Sequence, residues 1–351
     1  MSKSLINIRL KDESVMRKRR RWKKIVRAKN IERNNLPKPR SRKKEKRQYD
    51  NFGWQVTTMP ENFTMGNLEG VLGYINDTYK LSKVSGVNKI WMGMLGVTNI
   101  DIYCICLLLA QINKLGSRKV SCYGNYPTDD EKRQFVIESG FLKICKSNVK
   151  ESADVKYDNN QMYMVGKDAV ESDRICKSVK SCMKQLIGRE ENYNPVYENM
   201  VEICANSVEH ANKQNVDKNW LVSISQQEDG SMKFILTDTG EGLLNTLLKK
   251  KSDMFKDKLR GRRDHDVLKR VFQGEYLSRS GELNRHKGLP EVYENYTDGF
   301  ISHLQVLTNG VFFDFDTNEH IELDNEFMGV MISWTLSINN YNRWIQSLSE
   351  Y

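Results

Sequence analysis

The stretch YENMVEICANSVEHANKQ, residues 197–214, carries three polar residues at four-residue intervals within an apolar, helix-like pattern. Glu202, Asn206 and His210 project from one face of an α-helix, because residues four apart lie above one another. They adjoin an apolar stripe that would bury one side of the helix. Burying a carboxylate is costly unless a partner or a function uses it. The stretch therefore predicts either a partly exposed surface helix or the wall of a site.

Two strand-like runs follow this helix in NWLVSISQQEDGSMKFILTDTGEGL, residues 219–243, on either side of the turn residues QEDG. The second run ends in Asp238, and Gly240 and Gly242 alternate after it. Glycines in this arrangement make a tight turn that lets a ligand approach the backbone closely. A DxGxG motif alone is common by chance. Its position about thirty residues after ExxxN, with a hairpin between, makes the pair of motifs more specific.

Together the two motifs resemble the GHKL ATPases, the superfamily of gyrase, the heat-shock chaperone, histidine kinases and mismatch-repair proteins. The resemblance covers roughly residues 180–340. It implies an α/β sandwich of the Bergerat fold, in which helices cover one face of a mixed sheet. It also implies ATP and Mg²⁺ as ligands.

The same resemblance implies a role for each motif residue. Glu202 would orient or deprotonate the attacking water, and Asn206 would coordinate Mg²⁺. Asp238 would receive the adenine amino group, with Gly240 and Gly242 shaping the base site. The chemistry is consistent, because phosphoryl transfer needs positioned water and charge neutralisation more than covalent catalysis.

A polar, basic segment at residues 246–287 is expected to form a lid over the phosphates. Glycine at a helix N-terminus, with cations beside it, suits anionic oxygen. The run HKGLPE resembles the second glycine box of the superfamily, with one glycine fewer. The expected nucleotide contacts of this region are Arg279, Ser280, Arg285, Lys287, Gly288 and Leu289.

The last two strand-like runs, ISHLQVLTNGVFFDFD and EFMGVMISWTLSI, are expected to complete the sheet. Asn309-Gly310 and the segment DTNEH are the predicted turns. Many GHKL members have Gly-Thr at the start of the last strand, where the threonine supports the adenine-binding aspartate. This chain has Gly329-Val330 instead, so Asp238 is expected to use another partner or water.

The region preceding this part alternates strands and helices from about residue 52. The runs LGVTNIDIYCICLLLAQI and ESGFLKI resemble a STAS-like domain, the fold of anti-sigma-factor antagonists, over roughly residues 60–150. The phosphoacceptor serine of that family follows an aspartate, whereas Ile102 follows Asp101 here. The resemblance therefore implies a scaffold or partner-binding role without that phosphorylation switch. Residues 151–180 are polar and predict a connector leading into the helix SDRICKSVKSCMKQLI.

The expected organisation is a basic arm at residues 1–50, a STAS-like α/β domain at 51–160 and a GHKL domain at 161–351. The net charge of +10 is concentrated in the arm, where 20 basic and 5 acidic residues give +15. Such a segment suits nucleic acid, anionic lipid or an acidic protein surface, or is simply a solvated arm.

The remaining composition favours a cytoplasmic protein without a membrane span. The longest apolar run, IYCICLLLAQI, is about half the roughly 20 residues that a span needs. The N-terminal residues lack the apolar core of a signal peptide. The seven cysteines form no CxxC pair, which favours reduced core residues over a disulfide or zinc framework.

Three functions fit these observations. The first is a Mg²⁺-dependent ATP-hydrolysing switch whose nucleotide state controls contacts of the STAS-like domain or the basic arm. The second is a serine/threonine protein kinase of the anti-sigma-factor type. The third is a non-hydrolysing, nucleotide-gated adaptor that binds nucleic acid, in a bacterial and phage-defence setting. Glu202 favours hydrolysis, and family analogy predicts a homodimer.

Overall fold

The computed structural model describes residues 53–141, 145, 161–167, 169–210, 219–250, 263–275 and 288–349. This part of the chain is a mixed α/β structure, which confirms the predicted fold class. The basic arm and most of the expected lid lie outside the described residues.

The N-terminal part contains a three-stranded parallel sheet in the order β1-β3-β5 and a separate parallel pair, β2 with β4. The parallel strands of the larger sheet are joined through α1 and α2, as parallel pairing requires a crossover connection. The elements in chain order are β1 Gln55–Thr58, β2 Asn62–Phe63, α1 Leu68–Ser82, β3 Lys89–Gly93, β4 Asn99–Ile100, α2 Ile102–Ser117, β5 Ser121–Gly124 and α3 Asp130–Glu138.

Two helices of this part begin at aspartate residues that cap them. The Asp101 carboxylate accepts hydrogen bonds from the backbone N–H of Cys104 at 2.8 Å and of Met65 at 2.6 Å. It therefore caps α2 and ties the preceding loop to the start of that helix. Asp129 caps α3 in the same way, through the N–H of Lys132 at 2.9 Å.

The C-terminal part contains a five-stranded sheet in the order β6-β7-β8-β10-β9. The ExxxN motif lies on α5, and the DxGxG motif begins at the end of β8. The elements are β6 Gln161–Lys167, α4 Ser172–Ile187, α5 Asn194–His210, β7 Asn219–Gln226, β8 Met232–Asp238, α6 Leu243–Lys250, α7 Asp264–Phe272, α8 Gly288–Thr297, β9 Ser302–Asp314, β10 Glu319–Leu336 and α9 Ile338–Ser349.

The prediction of a mixed sheet is wrong for the described strands, because all four neighbouring pairs are antiparallel. The pairs β7-β8 and β9-β10 are joined by turns of only a few residues. Such short connections can reverse the chain but cannot carry it back to a parallel start.

The prediction of an irregular connector at residues 151–180 is wrong for residues 161–167, while residues 151–160 lie outside the described part of the chain. Residues 161–167 form the edge strand β6, which pairs with β7 along its whole length. At Gly166 a side chain would overlap the indole of Trp220, which covers the strand and donates a hydrogen bond to the Ala169 carbonyl at 3.2 Å. The run is too short and too polar at its ends to stand out without its partner strand.

One of the two predicted turns near the C-terminus is misplaced. Asn309-Gly310 lies within β9, with Asn309 at a φ of 51°, and the hairpin reverses instead in the DTNEH segment. Asn-Gly favours positive φ, but a bulged strand can use that conformation as well as a hairpin can.

Apolar side chains on the two faces of the five-stranded sheet enter two different cores. One face packs against α4, α5, α7 and α8, through Val222, Phe234, Val306 and Ile332. The opposite face packs against α1 and α2 of the N-terminal part, through Leu221, Ile235, Leu307 and Met331. The helices that follow residue 161 thus cover one face, and the N-terminal helices cover the other.

Among the described residues, every helix is too short or too polar to cross a membrane.

Candidate functional site

Asp238 ends β8 and is held by three hydrogen bonds. Its Oδ1 accepts from the backbone N–H of Gly240 at 2.8 Å and of Val330 at 3.2 Å. Its Oδ2 accepts from the hydroxyl of Ser207 at 3.2 Å. A carboxylate offers about four acceptor positions, so the partly buried Asp238 retains capacity at Oδ2 for one further donor.

Two of these partners, Val330 and Ser207, come from elements distant from Asp238 in the chain. The Val330 amide lies opposite Asp238 because β10 pairs with β8 here, and a side chain at Gly329 would overlap the Asp238 carbonyl. Ser207 supplies the hydroxyl from α5. Sequence reasoning missed Ser207, although it directly follows Asn206 of the ExxxN motif.

Burial raises the pKa of the Asp238 carboxyl above its ordinary value. The hydrogen bonds from Gly240, Ser207 and Val330, together with the charge of Lys114, lower this pKa in part. Lys114 belongs to α2, and its ammonium donates to the Thr239 carbonyl at 3.2 Å. The N-terminal part therefore contacts the same loop that carries the DxGxG motif.

The side chain of Asn309 fixes the second half of that loop. Its Nδ2 donates to the Glu241 carbonyl at 3.0 Å, and its Oδ1 accepts from the Leu244 N–H at 3.1 Å. A side chain at Gly242, where φ is 84°, would overlap this amide. Asn309, which lies at the bulge in the pairing of β9 with β10, thus positions the loop and the first turn of α6.

Glu202 and Asn206 lie on α5, partly buried, and face the start of α8. A Cβ added to Gly288 would lie 3.4 Å from Asn206 Nδ2 and 3.7 Å from Glu202 Oε2. The missing side chain therefore lets the motif residues lie close to the backbone at the N-terminus of α8. The first N–H groups of a helix have no partner within it and carry a positive partial charge.

The pairing of α5 with α8 is fixed by a buried polar contact as well as by apolar packing. Asn295 Nδ2 on α8 donates to Asn199 Oδ1 on α5 at 2.8 Å, and both residues are buried. Leu289 is buried in the same core, so only its backbone remains to contact a ligand. These contacts hold Gly288 against the ExxxN face.

The structure places most of the sequence-predicted residues around one helix. Glu202, Asn206 and Gly288 adjoin one another, and Ser207 joins this group to Asp238 and to the glycine turn. The expected contacts Arg279, Ser280, Arg285 and Lys287 lie outside the described residues and stay predictions.

The donor set suits the implied ligands. A carboxylate and an amide oxygen are ligands of the hard-oxygen type that Mg²⁺ accepts, and Mg²⁺ commonly uses one or two protein ligands beside phosphate oxygens. Asn206 offers the amide and Glu202 the carboxylate, beside the space at Gly288. No protein-family model matches the chain, and no curated protein matches it.

Proposed function

We propose that the chain is a Mg²⁺-dependent ATP-binding and ATP-hydrolysing switch of the GHKL type, with a STAS-like domain before the nucleotide site. One observation carries the proposal. Asp238, anchored at a glycine turn, is hydrogen-bonded to the helix whose Glu202 and Asn206 lie beside the start of α8. The sequence motifs alone did not require this proximity.

Asp238 is suited to bind the adenine base. Its Oδ2 can accept from the exocyclic amine while Oδ1 stays bonded to Gly240 and Val330. Gly240 adds no side chain beside Asp238, whereas the Asn309 amide occupies the corresponding space at Gly242. The site would therefore discriminate in favour of a base that carries an amino donor.

Asn206 would hold Mg²⁺ through its side-chain oxygen. When bound, the ion supplies neutralisation of the phosphate charge. Glu202 would orient or deprotonate the attacking water, and the backbone N–H groups that follow Gly288 would bind phosphate oxygen. The buried Leu289 and the Asn295–Asn199 contact hold that helix end in place.

The switch would act through Lys114. Its hydrogen bond to Thr239 connects α2 directly to the nucleotide turn, so a ligand that shifts the turn changes a contact of the N-terminal part. A ligand can shift the equilibrium only by its different affinity for the two arrangements. The output partner would bind the STAS-like domain or the basic arm.

The primary test measures phosphate release from ATP with Mg²⁺. The Glu202→Gln variant should hydrolyse ATP at least about 100-fold more slowly while still binding nucleotide, since a general base contributes about 10²–10⁴-fold. Glu198→Gln is the matched control, because Glu198 lies one turn earlier on α5 and is exposed. Asn206→Ala should lose Mg²⁺-dependent nucleotide binding. Normal hydrolysis by both site variants contradicts the proposal.

The destination of the γ-phosphate distinguishes the kinase alternative from the ATPase. Radiolabel from γ-labelled ATP that appears on a protein, rather than as free phosphate, indicates phosphotransfer. Tight nucleotide binding without turnover in the wild-type chain indicates the adaptor.

The charge of the arm favours an anionic partner, and nucleic acid is the first to test. Retention of RNA or DNA should weaken steeply with salt and disappear when residues 1–48 are deleted. Retention that the deletion leaves unchanged contradicts a role of the arm in this binding.

A further inference from the structure

A second group of ligand-type side chains lies at the start of β10, away from the proposed nucleotide site. His320 and Glu322 are two residues apart on the strand, so both project from the same face. His265, the second residue of α7, packs onto that face. The potential ligand atoms of these three residues all lie within 4.8 Å of one another.

The three side chains lie close together. His265 Nδ1 lies 3.2 Å from Glu322 Oε1, and the His265 and His320 rings stack with their centroids 3.5 Å apart. A proton shared between His265 and Glu322 accounts for that pair, but it does not account for the imidazole of His320. Among the described residues, His320 contacts the His265 ring and makes no hydrogen bond through its own imidazole.

We propose that His265, His320 and Glu322 bind a divalent transition-metal ion of the zinc class. Two imidazoles and one carboxylate are a ligand set that Zn²⁺ accepts, with water in the fourth position. A tetrahedral site needs ligand atoms about 3.3 Å apart, from metal–nitrogen distances near 2.0–2.1 Å. The exposed side chains of His320 and Glu322 can close the remaining distance by rotation.

Asp266 places a second carboxylate near His265, beyond hydrogen-bond distance of its ring. Its Oδ1 lies 3.7 Å from His265 Nε2, on the side of the ring opposite Glu322. A metal-binding histidine commonly donates its other N–H to a carboxylate, which fixes the tautomer and the ring orientation. Glu322 Oε1 faces Nδ1 of His265, whereas the stacked His320 ring has to rotate before its own nitrogen lone pair can point to the same ion.

The bound ion would fasten α7 to the β9-β10 hairpin. α7 is also held by its apolar side, where Val267, Leu268 and Phe272 are buried, and by Lys269, which donates to Asn318 of the hairpin at 2.6 Å. The metal site is independent of the proposed ATPase. The cluster shares no residue with that site, although a bulge in β10 brings Glu322, which lies opposite Val311, to roughly 10 Å from Val330, which lies opposite Thr308.

The test uses the full-length chain, freed of metal by a chelator and kept free of nucleotide, which would itself bind the ion. Zn²⁺ affinity is measured by competition with a chromophoric chelator, and Co²⁺ spectra report the ligand type. We expect one Zn²⁺ per chain, a Co²⁺ spectrum without a thiolate charge-transfer band, and a higher Tm with the ion. His320→Ala and Glu322→Gln, both at exposed positions, should each weaken binding at least about 10-fold.

His303→Ala is the matched control. His303 is an exposed histidine on β9 whose Nδ1 lies 2.6 Å from Asp316, and it takes no part in the cluster. Its removal should leave Zn²⁺ affinity unchanged. The proposal is overturned if the wild-type chain does not bind Zn²⁺, if His320→Ala binds as tightly as wild type, or if Co²⁺ reports thiolate ligands.

Discussion

Asp238 is partly buried and still has acceptor capacity at Oδ2. Two backbone amides and the Ser207 hydroxyl compensate part of the cost of burial, but the pKa of the carboxyl stays raised. A raised pKa means that the folded protein holds a proton that the unfolded chain releases. The contribution of Asp238 to stability is therefore full below the ordinary aspartate pKa of 3.8 and is lost as pH rises through the folded pKa.

We expect Asp238→Asn to weaken ATP binding by about 10–100-fold while the fold is retained. The amide can keep the bonds from Gly240 and Val330, but its NH₂ group opposes the adenine amine, an unpaired contact that costs about 1–3 kcal/mol. Stability of the variant relative to wild type should increase as pH rises above 3.8. Urea unfolding across pH and nucleotide titration measure both effects.

Asp229→Asn is the control for the pH dependence. Hydrogen bonds from Ser231 lower the pKa of Asp229, so its substitution should shift relative stability in the opposite direction with pH. Equal ATP affinity for Asp238→Asn and wild type would contradict the role given to Asp238.

The contact between α5 and the start of α8 is the central arrangement at the scale of elements. α5 presents the motif residues, and α8 meets them at a glycine rather than at a side chain. Neither helix forms a site alone, because the N–H groups of α8 have to face the polar side of α5. Packing of the two helices against the sheet provides that orientation.

We expect Gly288→Ala to leave the fold intact and to weaken Mg²⁺-ATP binding by about 10-fold. The added Cβ makes ordinary contacts of 3.4 Å and 3.7 Å with Asn206 and Glu202, so the helix can accept it. It nevertheless lies where phosphate and metal would bind in the proposed site. A tenfold weaker affinity corresponds to a loss of about 1.4 kcal/mol of binding free energy. Thermal unfolding and nucleotide titration separate the two effects.

Gly96→Ala is the control for Gly288→Ala, since the space around Gly96 is open. It should change neither stability nor affinity by a measurable amount. A loss of folding in Gly288→Ala, or unchanged affinity, would contradict the role of this helix start.

The molecule as a whole is layered, with the five-stranded sheet between two sets of helices. Lys233 lies on the face that contacts the N-terminal part, with its ammonium 5.3 Å from the Tyr103 ring centroid and 3.5 Å from Thr335 Oγ1. Burial lowers the pKa of Lys233 to about 8, although Asp314 and Asp316 oppose this shift. The packing of the two parts therefore places a cation where water has been excluded.

We expect Lys233→Met to raise the free energy of unfolding by about 1–3 kcal/mol at pH 7, since each pKa unit corresponds to about 1.4 kcal/mol. In wild type, stability should increase between pH 8 and 10.5, because the unfolded chain still holds the proton that the folded protein has lost. The advantage of the variant should shrink over that range. Chemical denaturation at several pH values measures the difference.

Lys89→Met, at an exposed position on β3, is the control and should change stability little at any pH. A destabilised Lys233→Met variant would show that the buried ammonium contributes favourably, and a pH-independent difference would show that folding does not shift its pKa.

The sequence by itself determined the local elements and the identity of the motif residues. Helical patterns in the sequence indicated α2 and α3, and the spacing of ExxxN and DxGxG selected Glu202, Asn206 and Asp238. These features depend on interactions within a few residues, which a linear pattern records directly.

Only the tertiary structure decided what each motif residue contacts. Ser207 and the Val330 amide become partners of Asp238 because α5 packs on the sheet and β10 pairs with β8. Edge strand β6 and the bulge at Asn309 likewise depend on partners distant in the chain. Contacts of this kind arise from burial and strand pairing between separate segments, so no local sequence pattern specifies them.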